Sequence, residues 1–354
     1  MKLAREVDRI ARLDRYVRPE KIEGAIKLDS NENFALDREF VAEVTADAAK
    51  RVDLREYPLD ELDYLYKQLS KYTGIGEKYI GVGSGSDQII ELLLTTLAGR
   101  GSRAIAFVPT FSYFINRCEL HGIRTDKIAL DRDFQLDADR FVKRAKNADL
   151  VYLCSPNNPT GNQLDKETAL KVIDSLGSRL VLVDEAYADF ADYSLAREAT
   201  RRDNVIVLRT LSKAFGLAGA RVGYMITNEK MAGVFRSTIQ SPYPISTLSL
   251  AIATSVLERA AHVKKTIEQV KRERKRVAAS LAQVDAIKTY RSDANFLFIE
   301  AGKKYGAIGR ELTKNGIAVK LLGDVAGHSG CMRVTIGTKE MNDGFISCVK
   351  RAVA

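Results

Sequence analysis

The stretch "NVIVLRTLSKAFGLAGARVGYMIT", Asn204 to Thr227, sets an apolar run, a turn of small residues holding one lysine, and a second apolar run in direct succession. The β-branched Val205 to Val207 reads as a buried strand, and the small residues after it let backbone approach something closely. Lys213 stands just past the strand end, where desolvating an ammonium costs far more than an ordinary buried contact returns. Taken alone, the stretch describes a surface lysine in a turn. The surrounding sequence has to decide whether it is more.

Working outward, the region from about Ile80 to Thr227 alternates apolar strand-like runs with amphipathic helical ones. "RAIAFVP", "DKIAL", "DLVYLCSP", "RLVLVDEAY", "NVIVLRT" and "RVGYMIT" are the strands, and such alternation is the signature of an α/β unit on a mostly parallel sheet. After "SPYPIS" the pattern changes to a long helical stretch, then "ANFLFIE", a helix near residues 305 to 315, "CMRVTIG" and a final helix. This describes a smaller α+β unit completed by the N-terminal segment. The expected division is an arm and part of the small domain over residues 1–45, a large domain over 46–245 and a C-terminal small domain over 246–354. Leu3, Val7, Ile10, Leu13 and Val17 form one stripe, which predicts an amphipathic helix over residues 3–17 that must cover a surface.

With 354 residues, 45% hydrophobic and 29% charged, the chain has the composition of a soluble globular protein. No apolar run reaches bilayer length, and "MKLAREVDRI" carries charges where a signal peptide needs an apolar core, so the expected location is the cytoplasm, without membrane contact. Cys118, Cys154, Cys331 and Cys348 form no C-x-x-C pair, and His121, His262 and His328 show no ligand spacing. Neither a disulfide framework nor a metal site is indicated. The formal charge of +9 concentrates in "VKKTIEQVKRERKRVAASL", where Val263, Ile267, Val270 and Val277 share one helix face. That is a solvated amphipathic helix, without the interleaved aromatics or motifs of a nucleic-acid binder.

In open α/β sheets, ligands sit at the carboxyl ends of the strands. "SPNNPTG", "DEAY" and "TLSK" each follow a strand, and "GSGSD" opens the helix "QIIELLLTTL". "GVGSGSD" offers free backbone N–H groups and a helix dipole to an anion, with Ser212 and Arg221 to complete a phosphate cup. It is not a dinucleotide fingerprint, since Ser86 stands where the last glycine belongs. Asp184 ends a strand of branched apolar residues, a costly place for a carboxylate unless it serves a cation. A buried acid, a lysine, a phosphate cup and the phenol of Tyr187 together match pyridoxal 5′-phosphate, which has a phosphate, a ring nitrogen, a 3′-oxygen and a lysine-reactive aldehyde.

"LDSNEN", "SPNNPTG", "DEAY" and "TLSKAFGLAGARVG", in this order, resemble those of fold-type I pyridoxal-phosphate aminotransferases, most closely the histidinol-phosphate aminotransferase family. The resemblance runs from about Tyr16 to the C-terminus. It implies a seven-stranded, mostly parallel sheet between helices plus a smaller α+β domain, and a homodimer with shared active sites. Lys213 becomes the Schiff-base lysine, Asp184 the partner of the ring nitrogen, and Asn158 and Tyr187 the donors to the 3′-oxygen. Phe111 takes the ring-stacking place. Ser86, Asp87, Ser212 and Arg221 contact the cofactor phosphate, Thr210 is a further cofactor-binding position, and Tyr57 reaches the phosphate in the neighbouring subunit. Tyr16, Asn31, Lys320 and Arg333 are implied on the substrate side.

The implied chemistry is a ping-pong exchange of an amino group between histidinol phosphate and 2-oxoglutarate. Aromatic or other amino-acid aminotransferases and threonine-phosphate decarboxylases share these motifs. A DNA-binding regulator on the same body would need an added domain, and only about thirty residues precede "LDSNEN". Two positions depart from the family pattern: Phe34 replaces a proline after "NEN", and Lys320 stands where relatives carry an arginine.

Overall fold

The structure is a computed structural model that describes residues 2–13 and 23–354. Its strands are β1 (Ile26–Leu28), β2 (Ile80–Gly83), β3 (Arg103–Val108), β4 (Arg124–Ala129), β5 (Leu150–Cys154) and β6 (Leu180–Asp184). They continue with β7 (Val205–Thr210), β8 (Gly223–Ile226), β9 (Lys288–Thr289), β10 (Phe296–Glu300), β11 (Ile317–Val325) and β12 (His328–Thr335).

Seven of them form one sheet in the order β2-β8-β7-β6-β5-β3-β4. The five strands from β7 to β4 are parallel, and β8 runs antiparallel to both β7 and β2. Strands β5 and β7 are buried along their whole length, as expected when helices cover both faces of a parallel sheet. The chain winds from β3 outward to β4, then returns to β5 on the other side of β3. The carboxyl ends of β3 and β5 therefore flank a topological switch point, where an open α/β sheet leaves a crevice.

The second sheet has the order β1-β11-β12-β10-β9. β1 joins it in parallel through Ile26 and Ile317, and the remaining pairs are antiparallel. Its register sets Arg333 of β12 opposite Lys320 of β11 and Phe298 of β10. The basic run lies on the Ala260–Leu281 helix, whose buried positions include Val263, Ile267, Val270 and Val277. Arg274 is buried among them, its Nη1 donating to the Ala294 carbonyl at 2.6 Å.

The N-terminal helix is shorter than its apolar stripe: it spans Lys2–Ala11. Arg12 and Leu13 turn away with N–H groups bonded only three residues back, which tightens and closes the last turn. Arg9 anchors the arm by donating to the Leu120 carbonyl at 3.0 Å, while Leu3, Val7 and Ile10 face outward, 78%, 55% and 43% exposed. Val17 lies outside the described residues. Among those described, all four cysteines are free and buried, no acidic, His or Cys cluster could hold a metal, and no helix is long and apolar enough to cross a membrane.

Candidate active site

At the end of β7 the backbone folds over itself. Thr210 Oγ1 accepts from Ser212 N at 3.1 Å, and Leu211 N donates to the Val222 carbonyl at 3.0 Å. This turn presents Lys213, whose Nζ donates to the Ser30 carbonyl at 2.9 Å and lies 5.8 Å from the centre of the Tyr187 ring. Burial lowers the ammonium to about 8, helped by the positive charge of Arg333 and opposed by Glu32 and Asp87. A lysine held this way is a nucleophile near neutral pH.

Asp184 closes β6 and is 3% exposed. Its Oδ2 accepts the Tyr152 hydroxyl at 2.6 Å and its Oδ1 accepts Ala186 N at 3.1 Å. Burial pushes the carboxyl up to about 6, against the pull of these two donors. Tyr187 follows, at the N-terminal edge of the Ala188–Phe190 3₁₀ turn after β6. Its hydroxyl accepts from Asn31 Nδ2 at 2.9 Å, so its own proton remains for a ligand oxygen. Burial holds this phenol well above its ordinary range. Asn158 is fixed from the other side, its Oδ1 accepting Arg333 Nη1 at 2.6 Å, which leaves its amide protons to donate. Arg333 Nη2 meanwhile donates to the Asp29 carbonyl at 2.7 Å.

The Gly85–Leu93 helix begins at the end of β2 and points its first N–H groups into the same space. Arg221 faces them, with Nη2 3.0 Å from Asp87 Oδ2 and Nη1 3.4 Å from Ser212 Oγ. Arg221 takes a left-handed φ of 53°, a strain of roughly 1–2 kcal/mol for a side chain with a Cβ. Two glycines keep this cradle open. A Cβ on Gly85 would come within 2.4 Å of Arg221 Nη2, and one on Gly223 within 2.3 Å of Ser86 N.

These groups converge on one cavity of about 210 Å³. It brings together Lys213, Asp184, Tyr187, Asn158, Phe111, Ser86, Asp87, Thr210, Ser212, Arg221, Asn31, Lys320 and Arg333. Tyr57 does not line it; its ring is 71% exposed and stacks on Tyr243 at 4.4 Å. Tyr16 lies outside the described residues. Asn31 is 1% exposed and donates from Nδ2 to the Tyr187 hydroxyl, so it orients the phenol while lining the cavity. Sequence reasoning passed over Asp29, Ser30 and Cys154, which line the cavity, and Tyr152, which stands behind Asp184. Only the serine and aspartate carried a signal, since both fall within "LDSNEN".

A phosphorylated pyridine aldehyde fits this donor set: a nucleophilic amine for its aldehyde, an acid for its ring nitrogen, two donors for its ring oxygen, and a glycine-kept anion cradle for its phosphate. Fold and cavity together are those of a fold-type I pyridoxal-phosphate-dependent transferase. The chain belongs to the aminotransferase class I and II family, which it matches over residues 23–349. A histidinol-phosphate aminotransferase of Pyrococcus furiosus is 36% identical over 326 residues, 92% of this chain and 91% of that protein. One from Ruminiclostridium cellulolyticum is 34% identical over 322 residues, 90% and 89% of the two chains. The crystal structure of histidinol-phosphate aminotransferase from Sinorhizobium meliloti, in complex with pyridoxal-5′-phosphate, shares the fold with a TM-score of 0.84. It is 24% identical, and the match covers 93% of this chain and 91% of that one.

Proposed function

We propose that this protein is a histidinol-phosphate aminotransferase that exchanges an amino group between histidinol phosphate and 2-oxoglutarate, with pyridoxal phosphate as its cofactor. The observation that carries the substrate is the pairing of Arg333 with Lys320 across β12 and β11, both facing the cavity that holds Lys213. A dianionic phosphate gains more from a planar guanidinium plus a second cation than a single carboxylate does. The chain's similarity to curated histidinol-phosphate aminotransferases supports the same reading.

Bound pyridoxal phosphate supplies an aldehyde for imine chemistry and a protonated ring that accepts electrons from the substrate α-carbon. Lys213 would anchor it, and its amine is placed to move a proton at that carbon. Asp184 keeps the ring nitrogen protonated. Asn158 and Tyr187 would donate to the 3′-oxygen, Phe111 would cover the ring face, and Ser86, the backbone N–H of Asp87, Ser212 and Arg221 would hold the phosphate. We place the protein in the cytoplasm as a homodimer in which Tyr57 completes the partner's site.

The test is a donor and acceptor screen on purified protein, with histidinol phosphate, glutamate and aromatic amino acids side by side. Histidinol phosphate is expected to give the highest kcat/KM. An aromatic amino acid in first place would defeat the assignment. Borohydride reduction and peptide mapping is expected to place the cofactor label on Lys213.

A further inference from the structure

Tyr152 has no part in the chemistry described so far. It lies on β5, fully buried, with its ring stacked on Phe114 at 4.0 Å and an interplanar angle of 8°. We infer that Tyr152 is a positioning residue for the transamination. Its hydroxyl keeps the buried Asp184 carboxylate ionised and turned so that a free lone pair faces the cofactor ring nitrogen. The inference rests on the reading of Asp184 as the ring-nitrogen partner.

The register of the sheet makes the contact. Cys154 pairs with Asp184 and Tyr152 with Leu182, so positions 152, 154, 182 and 184 share one face of β5 and β6. Tyr152 and Asp184 are diagonal neighbours, a span of about 7–8 Å between Cα atoms that an aromatic side chain can bridge. The hydroxyl closes it at 2.6 Å, the length of a charge-assisted O–H···O⁻ bond. Burial, with Asp184 adding to it, drives the Tyr152 phenol well above its ordinary range, so it remains a donor throughout the working pH range.

The carboxylate depends on that donor. Burial, together with the charges of Asp87 and Glu185, pushes Asp184 toward its neutral form, and the Tyr152 hydroxyl is the largest influence resisting them, ahead of Ala186 N–H. A neutral acid cannot hold a proton on a pyridine nitrogen by charge. A hydrogen bond to a charged group, worth roughly ten- to a hundredfold in the equilibrium, is large enough to decide which form prevails.

The test compares wild type with Tyr152→Phe, which keeps the ring and its stacking, and with Phe114→Leu, which keeps the hydroxyl and loosens the stacking. In cofactor-free protein carrying ¹³C-labelled aspartate, the Asp184 carboxyl midpoint is expected to rise by about one unit in Tyr152→Phe and to stay put in Phe114→Leu. In the loaded enzyme, the visible pH titration of the lysine-bound cofactor should move upward, because a less protonated ring withdraws fewer electrons from the imine nitrogen. The kcat of Tyr152→Phe should fall about tenfold or more with KM within about twofold. Should Tyr152→Phe not fold, difluorotyrosine at position 152, a stronger donor of the same shape, is expected to move the carboxyl midpoint downward.

An unmoved carboxyl midpoint, or equal shifts in Tyr152→Phe and Phe114→Leu, would overturn the inference. So would a normal visible titration and normal kcat in Tyr152→Phe. Asp184→Asn separates the causes: if it is inactive while Tyr152→Phe is normal, Tyr152 alone was misassigned. If Asp184→Asn is fully active, the ring-nitrogen reading itself has failed.

Discussion

At the residue scale, Asp184 and Lys213 are both held in protonation states that cost stability in the absence of cofactor. The Asp184 carboxyl is raised from 3.8 to about 6. A group raised in this way contributes stability below its unfolded value that is lost as pH rises through its folded one. At neutral pH the buried charge is therefore a net cost. Asp184→Asn in cofactor-free protein should be more stable than wild type near pH 7.5 by roughly 1–3 kcal/mol, and less advantaged near pH 4. Its turnover in the loaded form should be nearly abolished, since an amide cannot hold the ring proton. Thermal melts at the two pH values and a transamination assay check both halves. Lys213 is displaced the other way, to about 8 from 10.5. The rate at which cofactor-free protein captures pyridoxal phosphate should rise with pH around a midpoint near 8, which stopped-flow absorbance can follow. A midpoint near 10 would show a fully solvated amine.

At the scale of elements, the ends of β6 and β7 are tied together behind the cavity by a buried ionic network. Arg209 Nη1 meets Glu185 Oε2 at 3.0 Å, and its Nη2 meets Asp189 Oδ1 at 2.8 Å, an oxygen that also accepts the Tyr72 hydroxyl at 2.7 Å. Arg209 and both acids are at most 9% exposed. Arg209→Met would strand two buried carboxylates, and a loss of about 3–5 kcal/mol in denaturant unfolding is expected. The pairing of β11 with β12 makes a different prediction. Lys320→Ala should raise KM for histidinol phosphate roughly tenfold and leave that for glutamate within about twofold, as measured by steady-state kinetics. Equal effects on both substrates would remove Lys320 from phosphate recognition.

These elements also show what the sequence made legible. "DLVYLC" and "NVIVLR" read correctly as strands because a strand covered on both faces has no polar alternation to confuse it. β2 was passed over because "IGVG" offers two apolar side chains in four residues, and its glycines serve packing: a Cβ on Gly81 would come within 2.7 Å of Phe235. The residues at strand ends were legible because motif spacing fixes them. Tyr152 was not, because its contact with Asp184 follows from which strands become neighbours, and no local pattern encodes that order.

At the scale of the whole molecule, the apolar surface suits assembly. Leu54, Tyr57 and Leu59 are each about 70% exposed within a few residues of one another, and the N-terminal helix turns Leu3 and Val7 outward. Isolated monomers rarely leave such groups to water. On the proposed shared site, mixtures of Tyr57→Ala with Lys213→Ala should regain activity, up to about a quarter of wild type, because half the dimers carry one complete site. No recovery after subunit exchange would show that each chain works alone. The loop from Asp29 to Asn33 has a consequence of another kind. Its backbone or side chains bond Arg333, Lys213, Tyr187 and the Ala214 carbonyl. Whoever sets out to retool this catalyst for a new amino donor should leave that loop alone, since each of its bonds holds a different part of the site. The outer wall at Lys320 and Leu322, which holds none of these bonds, is the surface to diversify.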